Sequence, residues 1–142
     1  MKRYRVILDT NVIVAALRSQ TGASHRLLMS IGHPRWLSSV TPALMLQYED
    51  AARRPGNAPG LSPQDISAVL DLIYQRSHRQ LLWFSCRPTS ADPGDDLVLE
   101  AAVAGGCDFV VSINERHLRP AREFGIEVIR PVDLLRLIGE IK

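Results

Sequence analysis

Residues with oxygen-bearing side chains directly follow the first apolar segment of the chain. The apolar run 6–8 leads at once into Asp9, Thr10 and Asn11. A short uninterrupted apolar run is typical of a strand buried on both faces of a parallel sheet. Apolar residues over 12–17 then predict a helix, so the polar residues form the turn at the carboxyl end of the strand. Open α/β sheets bind their ligands at such turns, which makes Asp9 a candidate for catalysis or metal binding.

Helix capping is the alternative role for this turn. Asp, Thr and Asn are all preferred N-cap residues, because their side-chain oxygen accepts a hydrogen bond from the first turn of the helix. One carboxylate does not distinguish capping from chemistry. The deciding question is whether other acidic residues reach the same edge of the sheet.

A second group of polar residues follows the next strand. A strand is predicted over 36–40, and Thr41 and Pro42 begin the helix after it, Thr41 as its cap. Further along, this helix carries Glu49 and Asp50. Taken alone, these carboxylates indicate no more than an exposed helix face.

The densest acidic segment is 92–96, which reads Asp-Pro-Gly-Asp-Asp and begins an apolar helix that ends at two glycines. Capping needs only Asp92. Asp95 and Asp96 remain in the first turn, where the helix dipole favours negative charge. Two adjacent carboxylates nevertheless repel each other unless they share a cation.

Strands and helices alternate along the whole chain. Strands are also predicted over 81–84, 108–112 and 126–129, and helices over 25–31 with Ser24 as the cap, from Ser62 onwards, and over 131–141. This alternation predicts an α/β fold of three layers, α/β/α, with a central mostly parallel sheet of about five strands. Residues 1–142 fit a single domain.

In such a sheet the polar strand ends share one edge. The strand over 108–112 ends in Ser112, and Asn114 follows it. Asp9, the acids of the helix after the second strand, and Asp95 with Asp96 are expected at the same edge. Such a cluster of oxygen ligands suits Mg²⁺ or Mn²⁺. Such an ion lowers the pKa of a bound water and binds a phosphoryl oxygen, as phosphodiester hydrolysis requires. The sequence contains no Gly-rich phosphate loop, GxSxG motif or HExxH motif. These are the motifs that nucleoside triphosphatases, serine hydrolases and zinc proteases require.

Composition excludes several other classes. Hydrophobic residues make up 46% of the chain and charged residues 23%, ordinary values that argue against a disordered chain or a membrane protein. The basic N-terminus runs into a strand instead of a cleavable apolar segment, so we expect no signal peptide and a cytoplasmic location. Cys86 and Cys107 lie in no metal-binding spacing and are expected to be free thiols.

An ordered set of motifs covers nearly the whole chain. The motifs are residues 6–12, 21–24, 42–50 with Arg54-Pro55, 92–96, 104–108 and 111–112. In these motifs the sequence resembles the PIN domain ribonucleases, specifically the toxin components of toxin-antitoxin systems. The resemblance implies a PIN-like fold and a metal-dependent endoribonuclease that uses Mg²⁺ or Mn²⁺ to cleave RNA. It further implies a homodimer or higher homo-oligomer and a cognate antitoxin protein.

The resemblance also assigns roles to single residues. Asp9 matches the first acid of the family, and Asp95 matches the third, with Asp96 as the close second choice. Asn114 stands where an aspartate is common, so the metal ligands would be Asp9, Asp95 and Asn114. Asn offers an oxygen without charge, which lowers the expected metal affinity.

The second acid of the family has no direct match. Relatives often carry Glu where this chain has Gln47, which leaves Glu49 as the predicted catalytic residue and Asp50 as the alternative. Ser112 matches a supporting hydroxyl, and Asn11 is expected to position the first acid by hydrogen bonds.

Arginines flank the acidic segments in the sequence. Arg53, Arg54, Arg116, Arg119 and Arg122 are expected to supply contacts to RNA phosphates. The alternative is that they are ordinary exposed arginines of a slightly basic protein, whose net charge is +2.

Two other functions remain open at this point. A non-catalytic RNA-binding or protein-interaction module on a degenerate PIN scaffold would explain Gln47 and Asn114. A metal-dependent phosphatase on a comparable sheet is the third reading. It lacks the usual pair of strand-end aspartates two residues apart, since Asn11 occupies the second place.

Overall fold

The computed structural model describes residues 3–80, 93–114 and 121–142, with residues 93–96 described by their backbone alone. The strands are β1 (Tyr4–Leu8), β2 (Trp36–Val40), β3 (His78–Arg79), β4 (Phe109–Val111) and β5 (Glu127–Ile129). The helices are α1 (Thr10–Arg18), α2 (Ala23–Met29), α3 (Pro42–Ala52), α4 (Pro63–Arg76), α5 (Pro93–Ala104) and α6 (Pro131–Leu137).

The five strands form one sheet in the order β3-β2-β1-β4-β5. Every neighbouring pair is parallel, and Leu8 at the end of β1 lies opposite Val111 at the end of β4. The chain builds outward from β1 to β3, then crosses to the other side of β1 for β4 and β5. The direction of strand addition therefore reverses between β1 and β4, and the predicted fold of three layers around a parallel sheet is confirmed.

β1 lies at the centre of the hydrophobic core. Val6, Ile7 and Leu8 are fully buried, as expected for a strand covered on both faces. The connection after β1 leads to β2 on one side, and the connection after β3 leads back across the sheet to β4. Because such crossovers are right-handed, the helices of these two connections lie on opposite faces of the sheet. On one face α2 packs against α1 and α6, while α5 packs against β1, β2 and β4.

Local capping rules correctly located the starts of α3 and α4. Thr41 accepts a hydrogen bond from the amide of Leu44 at 3.1 Å, with Pro42 in the first turn. Ser62 and Asp65 form a reciprocal capping box at the start of α4. These two starts depend on side chains that act within a few residues, so the pattern alone identifies them.

The predicted bounds of three helices were wrong. α1 begins at Thr10 and not at 12. α2 begins at Ala23 with Gly22 as N-cap, so Ser24 is a buried residue inside the helix and does not cap it. α6 ends at Leu137 because the chain turns at Gly139, whose φ is 81°. The predicted strand at 81–84 and the cap at 92 lie outside the described residues.

None of the described helices combines the length and apolar character needed to cross a membrane. Cys107 is a free, buried thiol. Burial raises its pKa to about 12; the charge of Arg5 lowers that pKa and the charge of Asp108 raises it. A thiol with such a pKa stays protonated and is a poor nucleophile. Cys86 lies outside the described part of the chain.

We predict that Gly105→Ala destabilises the fold. A Cβ at this position would lie 2.9 Å from Nε2 of Gln80, 3.1 Å from the carbonyl oxygen of Ala101 and 3.2 Å from Sγ of Cys107. Overpacking of this kind lowers the free energy of unfolding by roughly 1 to 3 kcal/mol, which urea unfolding would measure. If the side chain of Gln80 causes the clash, part of the loss is recovered in a Gln80→Ala background. An equal loss in both backgrounds would exclude that contact as the cause.

Candidate active site

Asp9 directly follows the central strand and precedes α1. Its backbone is extended and its amide donates to the carbonyl oxygen of Val111 at 2.8 Å, which continues the pairing of β1 with β4. The residue is only 5% exposed. Although Asp9 occupies the N-cap position, its carboxylate makes no capping hydrogen bond to α1, a helix described in full. Capping therefore does not account for a carboxylate at this buried position.

Ser112 holds the carboxylate from the neighbouring strand. Its hydroxyl donates to Oδ2 of Asp9 at 2.8 Å. The same hydroxyl oxygen accepts from Nδ2 of Asn11 at 3.1 Å and from the amide of Asn114 at 3.1 Å. Oδ1 of Asn11 in turn accepts from the amide of Ile113 at 3.3 Å. Asn11 thus reaches Asp9 through Ser112, and the network ties the turn after β1 to the end of β4.

This network lies where ligands bind in open α/β sheets. Asp9 follows β1 and Ser112 follows β4, the two strands between which the order of the sheet reverses. The connections after such strands lead to opposite faces and leave a crevice at the carboxyl edge. The sheet topology therefore places the carboxylate at the position where such crevices form.

On α3, the side chain that reaches the first turn of α1 belongs to Gln47. Its Nε2 donates to Oγ1 of Thr10 at 2.7 Å. Its Oε1 is buried and has no hydrogen-bond partner among the described residues. An unsatisfied buried oxygen costs free energy unless a ligand, ion or water completes its coordination. Gln47 therefore carries an unsatisfied amide oxygen on the side chain that contacts the residue after Asp9.

Glu49 and Asp50 face a different direction. Glu49 is 47% exposed in its side chain and pairs with Arg53 at 3.3 Å. Asp50 pairs with Arg54 at 2.7 Å, also in an exposed i,i+4 contact. Of the polar residues predicted on this helix, the structure brings Gln47 to the turn beside Asp9 and places the two carboxylates in surface ion pairs.

Tyr48 is a site residue that the sequence analysis missed. Its side chain is fully buried, and its hydroxyl donates to the carbonyl oxygen of Leu8. Burial is the main cause that raises the pKa of Tyr48 well above its ordinary value, and the electrostatic interactions with Asp9 and Cys107 raise it further. Tyr48 therefore stays neutral and supports the site by holding the end of β1. The sequence offered only its position on the apolar side of α3.

The remaining predicted acids lie at the start of α5. This helix packs against β1 and β4, and Arg5, early in β1, donates to the carbonyl oxygen of Gly105 just after the helix end. The 12 residues of α5 span about 18 Å, which is about the length of the five-residue strand β1. The end of α5 therefore lies near Arg5 of β1, and Asp95 and Asp96 belong to the first turn, at the other end of the helix. Their side chains lie outside the described part of the chain.

The predicted RNA-binding arginines lie in different surroundings. Besides its ion pair, Arg53 donates to Oγ of Ser67 at 2.9 Å and so joins α3 to α4. Arg122 lines an open cavity with Asp108, which precedes β4, and Glu127, which begins β5, so it lies at the edge of the sheet opposite Asp9. Arg116 and Arg119 fall outside the described residues.

A parallel sheet between two helical layers, with a hydrogen-bonded carboxylate at its switch point, defines an α/β protein with a candidate ligand site at the carboxyl edge. The family model of the PIN domain matches residues 5–116, most of the chain, and the protein belongs to the PIN domain family. Proteins of this family are generally metal-dependent nucleases that act on RNA. No curated protein matches the chain.

The residues at this edge fit a hard divalent cation. The carboxylate of Asp9 and the unsatisfied Oε1 of Gln47 are oxygen ligands, the type that Mg²⁺ and Mn²⁺ prefer. Among the side chains that are described, no three His, Cys, Asp or Glu residues come together in a metal-binding group. The side chains of Asp95 and Asp96 lie outside that described set.

We predict that Tyr48→Phe lowers stability at neutral pH and flattens its decline at alkaline pH. Loss of the hydrogen bond to Leu8 costs about 1 kcal/mol. Above about pH 10 the unfolded tyrosine loses its proton while the folded one keeps it, so wild-type stability falls as pH rises. Urea unfolding at pH 8 and pH 10.5 would measure both effects. Cys107→Ala is the control, because the raised pKa of that thiol also makes stability fall as pH rises. If Tyr48→Phe loses as much stability between pH 8 and pH 10.5 as the wild type does, the assignment is contradicted.

Proposed function

We propose that this protein is a metal-dependent endoribonuclease that hydrolyses RNA phosphodiester bonds, and that it is the toxin of a toxin-antitoxin pair. The observation that carries the proposal is the buried carboxylate of Asp9, which makes no capping bond and is held by Ser112 at the switch point of a PIN domain sheet. A carboxylate kept in this position at the cost of burial is explained by a role in the reaction.

In this proposal, Asp9, Asp95 and Asn114 hold the divalent cation. When bound, the cation lowers the pKa of a water ligand and stabilises the charge on a phosphoryl oxygen. Ser112 fixes the orientation of Asp9 by donating to Oδ2, and Asn11 fixes the orientation of Ser112. Such supporting hydrogen bonds restrict the rotamer of a metal ligand and tune its basicity.

The proposal also assigns the other catalytic residues, the phosphate contacts and the partners. Asp96 is a further catalytic acid proposed from the sequence. For the second acid the sequence proposes Glu49, and the contact with Thr10 favours Gln47 in its place. The proposed phosphate contacts are Arg53, Arg54, Arg116 and Arg119. The proposed partners are a cognate antitoxin protein and further copies of this chain, in the cytoplasm.

The activity can be tested directly. Purified protein is incubated with structured and single-stranded RNA in Mg²⁺, in Mn²⁺ and in EDTA. Cleavage that requires either ion supports the proposal. Absence of cleavage with every ion, together with retained RNA binding, would favour the non-catalytic module, to which the amide of Gln47 in place of an acid already points.

We predict that Asp9→Asn abolishes metal-dependent RNA cleavage and leaves the fold intact. Asn preserves the size of the side chain but removes the charge that holds the cation. RNA cleavage and thermal melting of the two proteins, at one Mg²⁺ concentration, measure activity and stability separately. Asp71→Asn, an exposed carboxylate on α4, is the matched control and is expected to cleave like the wild type. Equal cleavage by Asp9→Asn would refute the mechanism.

We predict that Gln47→Ala reduces cleavage more than Glu49→Gln does. Gln47 contacts the residue next to Asp9, whereas Glu49 lies in an exposed ion pair with Arg53. Loss of an exposed pair of this kind changes stability by less than about 1 kcal/mol. Initial rates over a range of Mn²⁺ concentrations would compare the two variants. A larger loss in Glu49→Gln would establish Glu49 as the second acid and leave Gln47 a supporting residue.

A further inference from the structure

A second cavity opens on the same edge of the sheet as the candidate active site. Its volume is about 250 Å³. It is lined by Val40, Thr41, Pro42, Tyr74, Arg79 and Gln80. These residues come from the carboxyl ends of β2 and β3, the start of α3 and the last turns of α4. We call this cavity the β3 cavity.

The strand register places the β3 cavity close to Asp9. Val6 lies opposite Ser38 in the pairing of β1 with β2, and Val40 lies opposite Arg79 in the pairing of β2 with β3. All three strands are parallel and end at one edge. Because neighbouring strands are about 4.8 Å apart, the cavity begins roughly 5 to 10 Å along the edge from the end of β1. One extended polymer can therefore contact both places.

The β3 cavity contains a stacked cation and aromatic ring. The guanidinium carbon of Arg79 lies 4.8 Å from the centroid of the Tyr74 ring. The tyrosine is 46% exposed, a large exposure for an aromatic side chain. Within the described part of the chain Arg79 has no carboxylate partner, in contrast to Arg53 and Arg54. Its positive charge is therefore not neutralised by a neighbouring acid there.

We propose that the β3 cavity is a subsite for one nucleotide of single-stranded RNA. A base stacks on the Tyr74–Arg79 pair, and the charge of Arg79 contacts the adjoining phosphate. The inference rests on the proposed function, which it deepens by assigning a place to the substrate beside the cleavage site. The subsite requires an unpaired base, because a paired base is not available for such stacking.

The chemistry of the lining supports a base over other ligands. Aromatic rings and guanidinium planes are the surfaces on which proteins stack unpaired bases. Val40 and Pro42 add apolar contact, and the amide of Gln80, whose Nε2 donates to Ala101, adds a polar group. A volume of about 250 Å³ is below the usual range for complete small-molecule sites, which begins near 300 Å³, and suits a single ring system.

Binding can be measured without catalysis. Fluorescence anisotropy of a labelled single-stranded RNA oligonucleotide, with protein in EDTA, gives the dissociation constant at several salt concentrations. Tyr74→Ala is expected to weaken binding about fivefold to a hundredfold, the range for loss of one stacked base. Tyr74→Phe retains the ring and is expected to bind like the wild type. Phe124→Ala is the matched control, since that ring is 45% exposed but lies elsewhere.

The salt dependence separates the two members of the pair. Arg79→Ala is expected to weaken binding and to reduce the slope of log affinity against log salt by about 0.7, the value for one phosphate contact on a single strand. Tyr74→Ala is expected to leave the slope unchanged. Thermal melting of every variant confirms that it is folded.

The possible results distinguish this inference from the proposed function. Binding that depends on Tyr74 and Arg79 supports the subsite even if the protein cleaves no RNA. If the wild type cleaves RNA but both alanine variants bind and cleave equally well, the subsite is refuted and the proposed function stands. Failure of the wild type to bind the oligonucleotide overturns the subsite. Binding of a nucleoside monophosphate as tight as that of the oligonucleotide also overturns it, because the cavity would then hold a free nucleotide.

Discussion

The hydrogen bond from Ser112 to Asp9 joins the ends of two neighbouring strands, and the geometry of the site depends on it. A buried carboxylate is costly unless its oxygens are hydrogen-bonded, and Ser112 supplies a donor from β4. That donor is in place only because β1 and β4 are adjacent and parallel, with Leu8 opposite Val111. The hydrogen bond that holds the carboxylate therefore depends directly on the sheet topology. A change in strand register would separate the carboxylate from the hydroxyl.

Features that depend on neighbouring residues could be predicted from the sequence. The apolar run before Asp9 identified a strand buried on both faces, and Thr41 with Pro42 located the start of α3. The alternation of such elements was enough to predict a parallel three-layer fold. Boundaries were less predictable where two residues close together are both plausible caps. Gly22 and Ser24 illustrate this, since the chain begins α2 after the glycine and buries the serine.

The choice between Gln47 and Glu49 could not be made from the sequence. Residues two apart on a helix lie about 200° apart around its axis, so only one of the pair can face a given neighbour. Which one does so depends on how α3 crosses α1, a property of the packed fold. Residue chemistry favoured the carboxylate, whereas packing brings the amide to Thr10. Tyr48 escaped prediction for the same reason, because its hydrogen bond to Leu8 joins residues 40 positions apart.

The contacts of Gln47 and Tyr48 couple the site mechanically to one helix. Tyr48 holds the residue before Asp9 and Gln47 holds the residue after it, and both belong to α3. A rigid-body shift of α3 would therefore move both flanks of the carboxylate together. Since misplacement of a reacting group by about 1 Å can cost a hundredfold in rate, the alignment of Asp9 is sensitive to any force applied to the outer surface of this helix.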